Sequence, residues 1–96
     1  MSADVYLILV TKEGIVKEHW WIGGSSMARQ LPEYLSKVNK PEAKGIITYV
    51  DTKDKVLQML SVSENEGFRY IDTPQQEDIE KLDPSNELIW NVIAIW

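Results

Sequence analysis

The stretch Glu87-Leu-Ile-Trp-Asn-Val-Ile-Ala-Ile-Trp96 decides the fold. In an extended strand Leu88, Trp90, Val92, Ala94 and Trp96 point to one side, and Ile89, Asn91, Ile93 and Ile95 to the other. A strand apolar on both faces is normally covered on both, so the segment reads as a central strand. The helical alternative has less support, because the run is short, rich in β-branched and aromatic residues, and lacks a cap.

Immediately upstream lies a short acidic helix. Thr73-Pro74-Gln75-Gln76 forms a capping box with proline at the first helical position. Glu77 and Asp78 suit the positive end of the helix dipole, Glu77 can pair with Lys81, and Ile79 and Leu82 dock the helix. Asp83-Pro84-Ser85-Asn86 ends it. Further upstream, Gly45–Asp51 and Lys55–Val62 read as two strands joined by the polar turn Thr52-Lys-Asp-Lys55. A second turn, Glu64-Asn-Glu-Gly67, leads to a short strand at Phe68–Ile71.

At the other end, residues from about Val5 to Ile22 read as a β-hairpin turning at Glu13-Gly14. A two-residue loop sets Leu9 against Glu18, Leu7 against Trp20 and Val5 against Ile22 on the core side. It gathers Tyr6, His19 and Trp21 on the other, and a bulge at Gly14 would reverse this on one strand. Gly23-Gly24-Ser25-Ser26 then opens a helix, with Ser25 or Ser26 as N-cap. Met27, Leu31, Tyr34, Leu35 and Val38 form its apolar stripe. Pro32 is expected to kink or break it, and Asn39 and Pro41 to end it.

The expected order is β-β-α-β-β-β-α-β. It implies an α+β fold, an antiparallel or mixed sheet with two helices on one face. Omitting two of the strands leaves β-α-β-β-α-β, a ferredoxin-like variant. With helices on one face only, the far side of the last strand still needs cover, and a second subunit, a homodimer, supplies it most economically.

Ninety-six residues, 44% hydrophobic and 26% charged, fit a single globular domain over 1–96. The absence of cysteine excludes a disulfide scaffold and cysteine-ligated zinc. Apolar runs are too short for a membrane span and no signal peptide is apparent, so a soluble, cytoplasmic protein is expected. The net charge of −5 arises between Asp72 and Glu87, where six acids oppose Lys81 alone. That argues against nucleic acid and toward a protein partner with a basic surface, met by Glu77, Asp78 and Glu80, unless these simply solvate a helix.

No local motif announces catalysis. His19 is the only imidazole, so neither a nucleophile–base pair nor a transition-metal site is expected, and no cofactor. Asp51 and Asp54, or Glu64 and Glu66, lack the spacing of a calcium loop. The glycine-serine turn Gly24, Ser25 and Ser26, with Arg29, offers a possible anion site at a helix start but has neither P-loop nor dinucleotide spacing. The surplus of tryptophan, four residues in all, is the most informative feature. Tyr6, His19, Trp21 and Trp90 form a candidate aromatic binding patch with a polar edge.

These features favour a small non-enzymatic interaction module, a regulator or inhibitor of another macromolecule. A small-ligand-binding protein with an aromatic pocket is the first alternative. In length and strand–helix order the chain also resembles the dimeric ferredoxin-like α+β barrel proteins, which use Trp, His and Asn side chains around an apolar substrate. That resemblance implies a cofactor-independent oxygenase as the second alternative.

Overall fold

The computed structural model describes residues 2–36, 45–65 and 76–96. It shows a small α+β domain built on a four-stranded antiparallel sheet, with strands β1 (Asp4–Val10), β2 (Val16–Gly23), β3 (Ile46–Asp51) and β4 (Ile89–Ile95). The spatial order is β2-β1-β4-β3, so β4 is central as its two-sided apolar pattern requires. It pairs with β1 from Asp4–Ile95 to Val10–Ile89 and with β3 from Ile46–Ile95 to Asp51–Trp90.

Three helical segments accompany the sheet: α1 (Ser25–Tyr34), α2 (Lys53–Asn65) and α3 (Gln76–Glu80). Met27 and Leu31 of α1, Val56 and Leu60 of α2, and Ile79 of α3 are buried with Val5, Leu7, Leu9, Trp90 and Val92 of the sheet. All three helices therefore cover one face. That core face also receives Ile22 and Tyr49 from the two edge strands.

The hairpin register expected from a two-residue loop holds in the middle of the pair: Tyr6–Trp21, Leu7–Trp20, Ile8–His19 and Leu9–Glu18. It holds for an unexpected reason. Gly14 N–H donates to Thr11 O at 3.0 Å and Thr11 N–H to Ile15 O at 2.8 Å, so the loop is Lys12-Glu13-Gly14, one residue longer. Gly14 sits at φ +93°, the left-handed conformation of a G1 bulge. A second irregularity between Leu9 and Val10 then restores the register, and a third between Val5 and Tyr6 sets Val5 against Gly23.

Two elements differ from the sequence reading. Lys55–Val62 is not a strand but part of α2. Val56, Met59 and Leu60 are buried while Asp54, Lys55 and Gln58 are exposed, a spacing of three and four that fits a helix and not an alternating strand. The supposed turn residue Thr52 is the helix cap: its Oγ1 accepts from Lys55 N–H at 3.3 Å and its carbonyl from Val56 N–H at 3.1 Å. As a result β3 is the single strand between α1 and α2 among the described residues. Helix α1 is also shorter than its stripe suggests. It passes through Pro32 and stops at Tyr34, with Leu35 already extended yet buried. Pro32 removes one helical N–H, which weakens the last turn. Val38, the strand expected at Phe68–Ile71 and the capping residues Thr73–Gln75 lie outside the described residues.

The seam between β2 and α1 is close-packed. A Cβ at Gly23 would fall 2.9 Å from both Cβ and Sδ of Met27, which is itself 1% exposed. Gly23→Ala is therefore expected to destabilise the protein by about 1–3 kcal/mol through overpacking. Urea denaturation checks this, and a change within about 0.5 kcal/mol would contradict the packing described.

Candidate functional site

The sheet has two unlike faces. Opposite the helices, successive ladder rows read Trp21–Tyr6–Ile93–Thr48 and His19–Ile8–Asn91–Val50. Flanking rows join Ile46 to Ile95 at one end, and Val16 through Val10 to Ile89 at the other. No described helix or strand packs over this face. The exposed large hydrophobic residues are Ile15, Val16, Ile46, Ile89 and Ile95, and all five lie on it or at its hairpin end. Exposed apolar side chains are ordinary when scattered; here they are contiguous.

Three of the four aromatic-patch residues meet on this face. Tyr6 and Trp21 are cross-strand neighbours and half-buried, and His19 is exposed on edge strand β2. The Trp21 indole N–H donates to Asp4 Oδ1 at 3.0 Å, which fixes its ring along the rim. In mid-face Asn91 turns its amide back on the sheet, donating to the carbonyls of Ile89 at 3.3 Å and, at a long 3.5 Å, Ile8.

Trp90 does not join them. It points to the helix side and is 1% exposed. Its indole N–H donates to Asp83 Oδ2 at 3.0 Å, and the Lys53 ammonium lies 5.8 Å from its ring centroid. Asp83 also accepts from the backbone N–H groups of Glu87 at 2.7 Å and Leu88 at 3.1 Å. Lys53 in turn donates to the carbonyls of Leu82 at 2.7 Å and Asp83 at 3.2 Å. The cluster locks the start of α2 and the exit of α3 to the entry of β4. Asp83 thus serves the fold, although by sequence it is one more acid in the acidic run.

The remaining candidates stand apart. Gly24 is the N-cap of α1 in place of either serine, with no side-chain cap bond. Ser25 Oγ accepts from Ala3 N–H at 2.8 Å, so it anchors the start of β1. Ser26 and Arg29 are exposed. Asp78 and Glu80 are exposed on α3, in the helix layer; the Glu77 side chain lies outside the described residues. A shallow cleft of about 400 Å³ opens between the hairpin turn and the entry to β4, lined by Thr11, Lys12, Glu13, Lys17, Glu87 and Leu88. None of the aromatic candidates lines it. Among the described residues no group of three or more acidic or imidazole side chains is placed to hold a metal ion. No described helix is long and apolar enough to cross a membrane.

Comparison with known proteins adds no further constraint: no protein-family model, curated protein or solved structure matches this chain.

Among the described residues two carboxylates are held below the usual range. Asp51 accepts from Thr52 N–H at 2.8 Å and Ser36 N–H at 3.0 Å. The Thr52 bond is the largest influence and lowers its pKa, with burial opposing and Ser36 and Lys55 assisting. At Asp83 burial is the largest single influence and raises the pKa, but hydrogen bonds from Trp90, Glu87 and Leu88 with the charge of Lys53 outweigh it, leaving the pKa lowered. Groups depressed in the folded state stabilise it above their unfolded pKa, and that contribution is lost as pH falls through the folded value. Stability should therefore drop as pH falls below about 4. Asp83→Ala should cost about 2–3 kcal/mol at neutral pH and flatten the acid limb. Urea midpoints of wild type and variant between neutral and acid pH test both, and equal acid slopes would refute the assignment.

Proposed function

We propose that the protein is a non-enzymatic interaction module that docks another polypeptide on the sheet face that no described helix covers. The observation that carries this reading is the contiguity of that face. Four strands present apolar side chains in register, with Trp21, Tyr6 and His19 at one margin. Aromatic anchors beside β-branched residues are the composition of an interface centre, with His19 and Asn91 as its polar members. The surface suits a protein better than a small molecule. It is open and sheet-wide, and its only imidazole is exposed on an edge strand, where an oxygenase or pocket reading needs enclosure.

The acidic candidates Asp78 and Glu80 extend the reading. Ile79 between them is buried in the core, so α3 shows its acids on the helix side of the sheet. A basic partner drawn to those acids meets the opposite side of the molecule from the aromatic patch. Binding through one surface leaves the other free, as a regulator that links two proteins requires.

A photo-crosslinking amino acid placed at Tyr6 tests the docking face. In extract from the source cells, Tyr6 should give adducts of discrete mass that Ile93→Lys abolishes, while the same probe at Asp78 gives a different set. Failure of the Tyr6 probe to crosslink, or adducts indifferent to Ile93→Lys, would remove the reading.

A further inference from the structure

We infer that one end of the sheet carries an acid-sensitive clasp, in which Asp51 and Asp83 pin connections of the three described helices. Protonating the pair opens that end of the helix layer while the strands stay paired. The clasp belongs to the helix face and stands apart from the docking surface.

The two carboxylates are neighbours through Trp90. Asp51, the last residue of β3, pairs across the ladder with Trp90 at the start of β4, and the Trp90 indole N–H donates to Asp83 Oδ2 at 3.0 Å. From this one place they reach all three helices. Asp51 accepts from Ser36 N–H at 3.0 Å, just past the end of α1, and from Thr52 N–H at 2.8 Å, at the cap of α2. The Ser36 carbonyl in turn accepts from Val50 N–H at 3.1 Å, which lays the exit of α1 against β3. Asp83 accepts from the N–H groups of Glu87 and Leu88, where the chain leaving α3 enters β4. Lys53, the first residue of α2, donates to the Leu82 and Asp83 carbonyls, so α2 is tied to the same turn that the Asp83 carboxylate shapes.

The opposite end of the sheet is fastened without charge. There the Ser25 hydroxyl accepts from Ala3 N–H at 2.8 Å, and Met27 packs against Gly23. Asp4, also at that end, holds Trp21 within the sheet. The ladder itself is made of backbone hydrogen bonds, which do not titrate with carboxylates. An acid-labile end facing a neutral one makes a hinge, anchored at the start of α1.

The sign follows from the partners. A carboxylate accepts on both oxygens only when ionised; protonation sets an O–H donor among N–H donors. At Asp51 the Thr52 bond leads in lowering the pKa, with Ser36 and the Lys55 charge of α2 assisting against burial. At Asp83 burial pushes upward and is outweighed by Trp90, Glu87, Leu88 and the Lys53 charge. Both folded values lie below the usual range, so the clasp is closed at neutral pH and opens as pH falls below about 4.

Amide hydrogen exchange read by NMR, with each rate divided by its intrinsic value at the same pH, is the test. Between neutral pH and about pH 3, protection of Val56, Met59 and Leu60 in α2 should fall about tenfold further than that of Leu7 in β1 and Val92 in β4, the weight of one or two lost hydrogen bonds. Asp51→Asn with Asp83→Asn should reproduce that loss at neutral pH with sheet protection kept, because each amide sets an NH₂ where an acceptor oxygen stood. Should the double variant not fold, the wild-type comparison alone decides. Equal loss in helix and sheet, undiminished α2 protection at about pH 3, or wild-type protection in a folded double variant would overturn the inference.

Discussion

The pairing of β1 with β4 is the constraint on which the rest of the structure depends. These strands lie side by side at the centre of the sheet, although nearly the whole chain separates them. Each is apolar on both faces, so neither can serve as an exposed edge without cost. Once they pair, β2 can only extend the sheet beyond β1, and β3 only beyond β4. All three described helices lie on one face of this sheet. Closing so long a loop is entropically unfavourable, and only the burial of residues such as Leu7, Leu9, Trp90 and Val92 beneath the helices offsets it.

The parts legible in the sequence were those where one pattern admitted one reading. The pattern of Ile89–Ile95 makes a strand with two apolar sides, which belongs inside a sheet, and β4 is central, although the described helices cover only one of those sides. The hairpin register was legible only because two irregularities cancel. The three-residue loop shifts the pairing by one, and the irregularity between Leu9 and Val10 shifts it back. That cancellation is why Tyr6, His19 and Trp21 could be placed on one face from sequence. Helix α2 was obscured because Lys55–Val62 mixes apolar and polar residues in a way that serves either period over so short a window. Thr52 and Asp54, a cap followed by an acid in the first turn, were the signals that could have decided it.

Trp90 shows where reading by residue type stops. Aromatic surplus suggested a binding role, but its parity along β4 already sets it with Val92 and Ala94 and away from Ile89 and Asn91. What the sequence could not give was its partner. Asp83 occupies φ +51°, a left-handed conformation that an aspartate tolerates better than most residues. From there its carboxylate reaches two backbone N–H groups and an indole N–H together. The Asp-Pro-Ser-Asn segment announces a turn, yet nothing local reveals that the turn caps a tryptophan seven residues away.

The two sides of the sheet assign their polar groups in opposite ways. On the helix side Asp83, Lys53 and Trp90 spend their hydrogen bonds fastening one element to another, while Asp78 and Glu80 on α3 are exposed. On the open side Asp4 and Asn91 spend theirs on Trp21 and on the ladder itself, leaving apolar surface between them. A face meant for solvent ordinarily alternates polar residues outward along each strand. Here Tyr6, Ile8 and Val10 on β1, and Ile89, Ile93 and Ile95 on β4, fill the outward positions of the central strands around a single amide, Asn91. Among the described residues the fully buried core lies on the helix side.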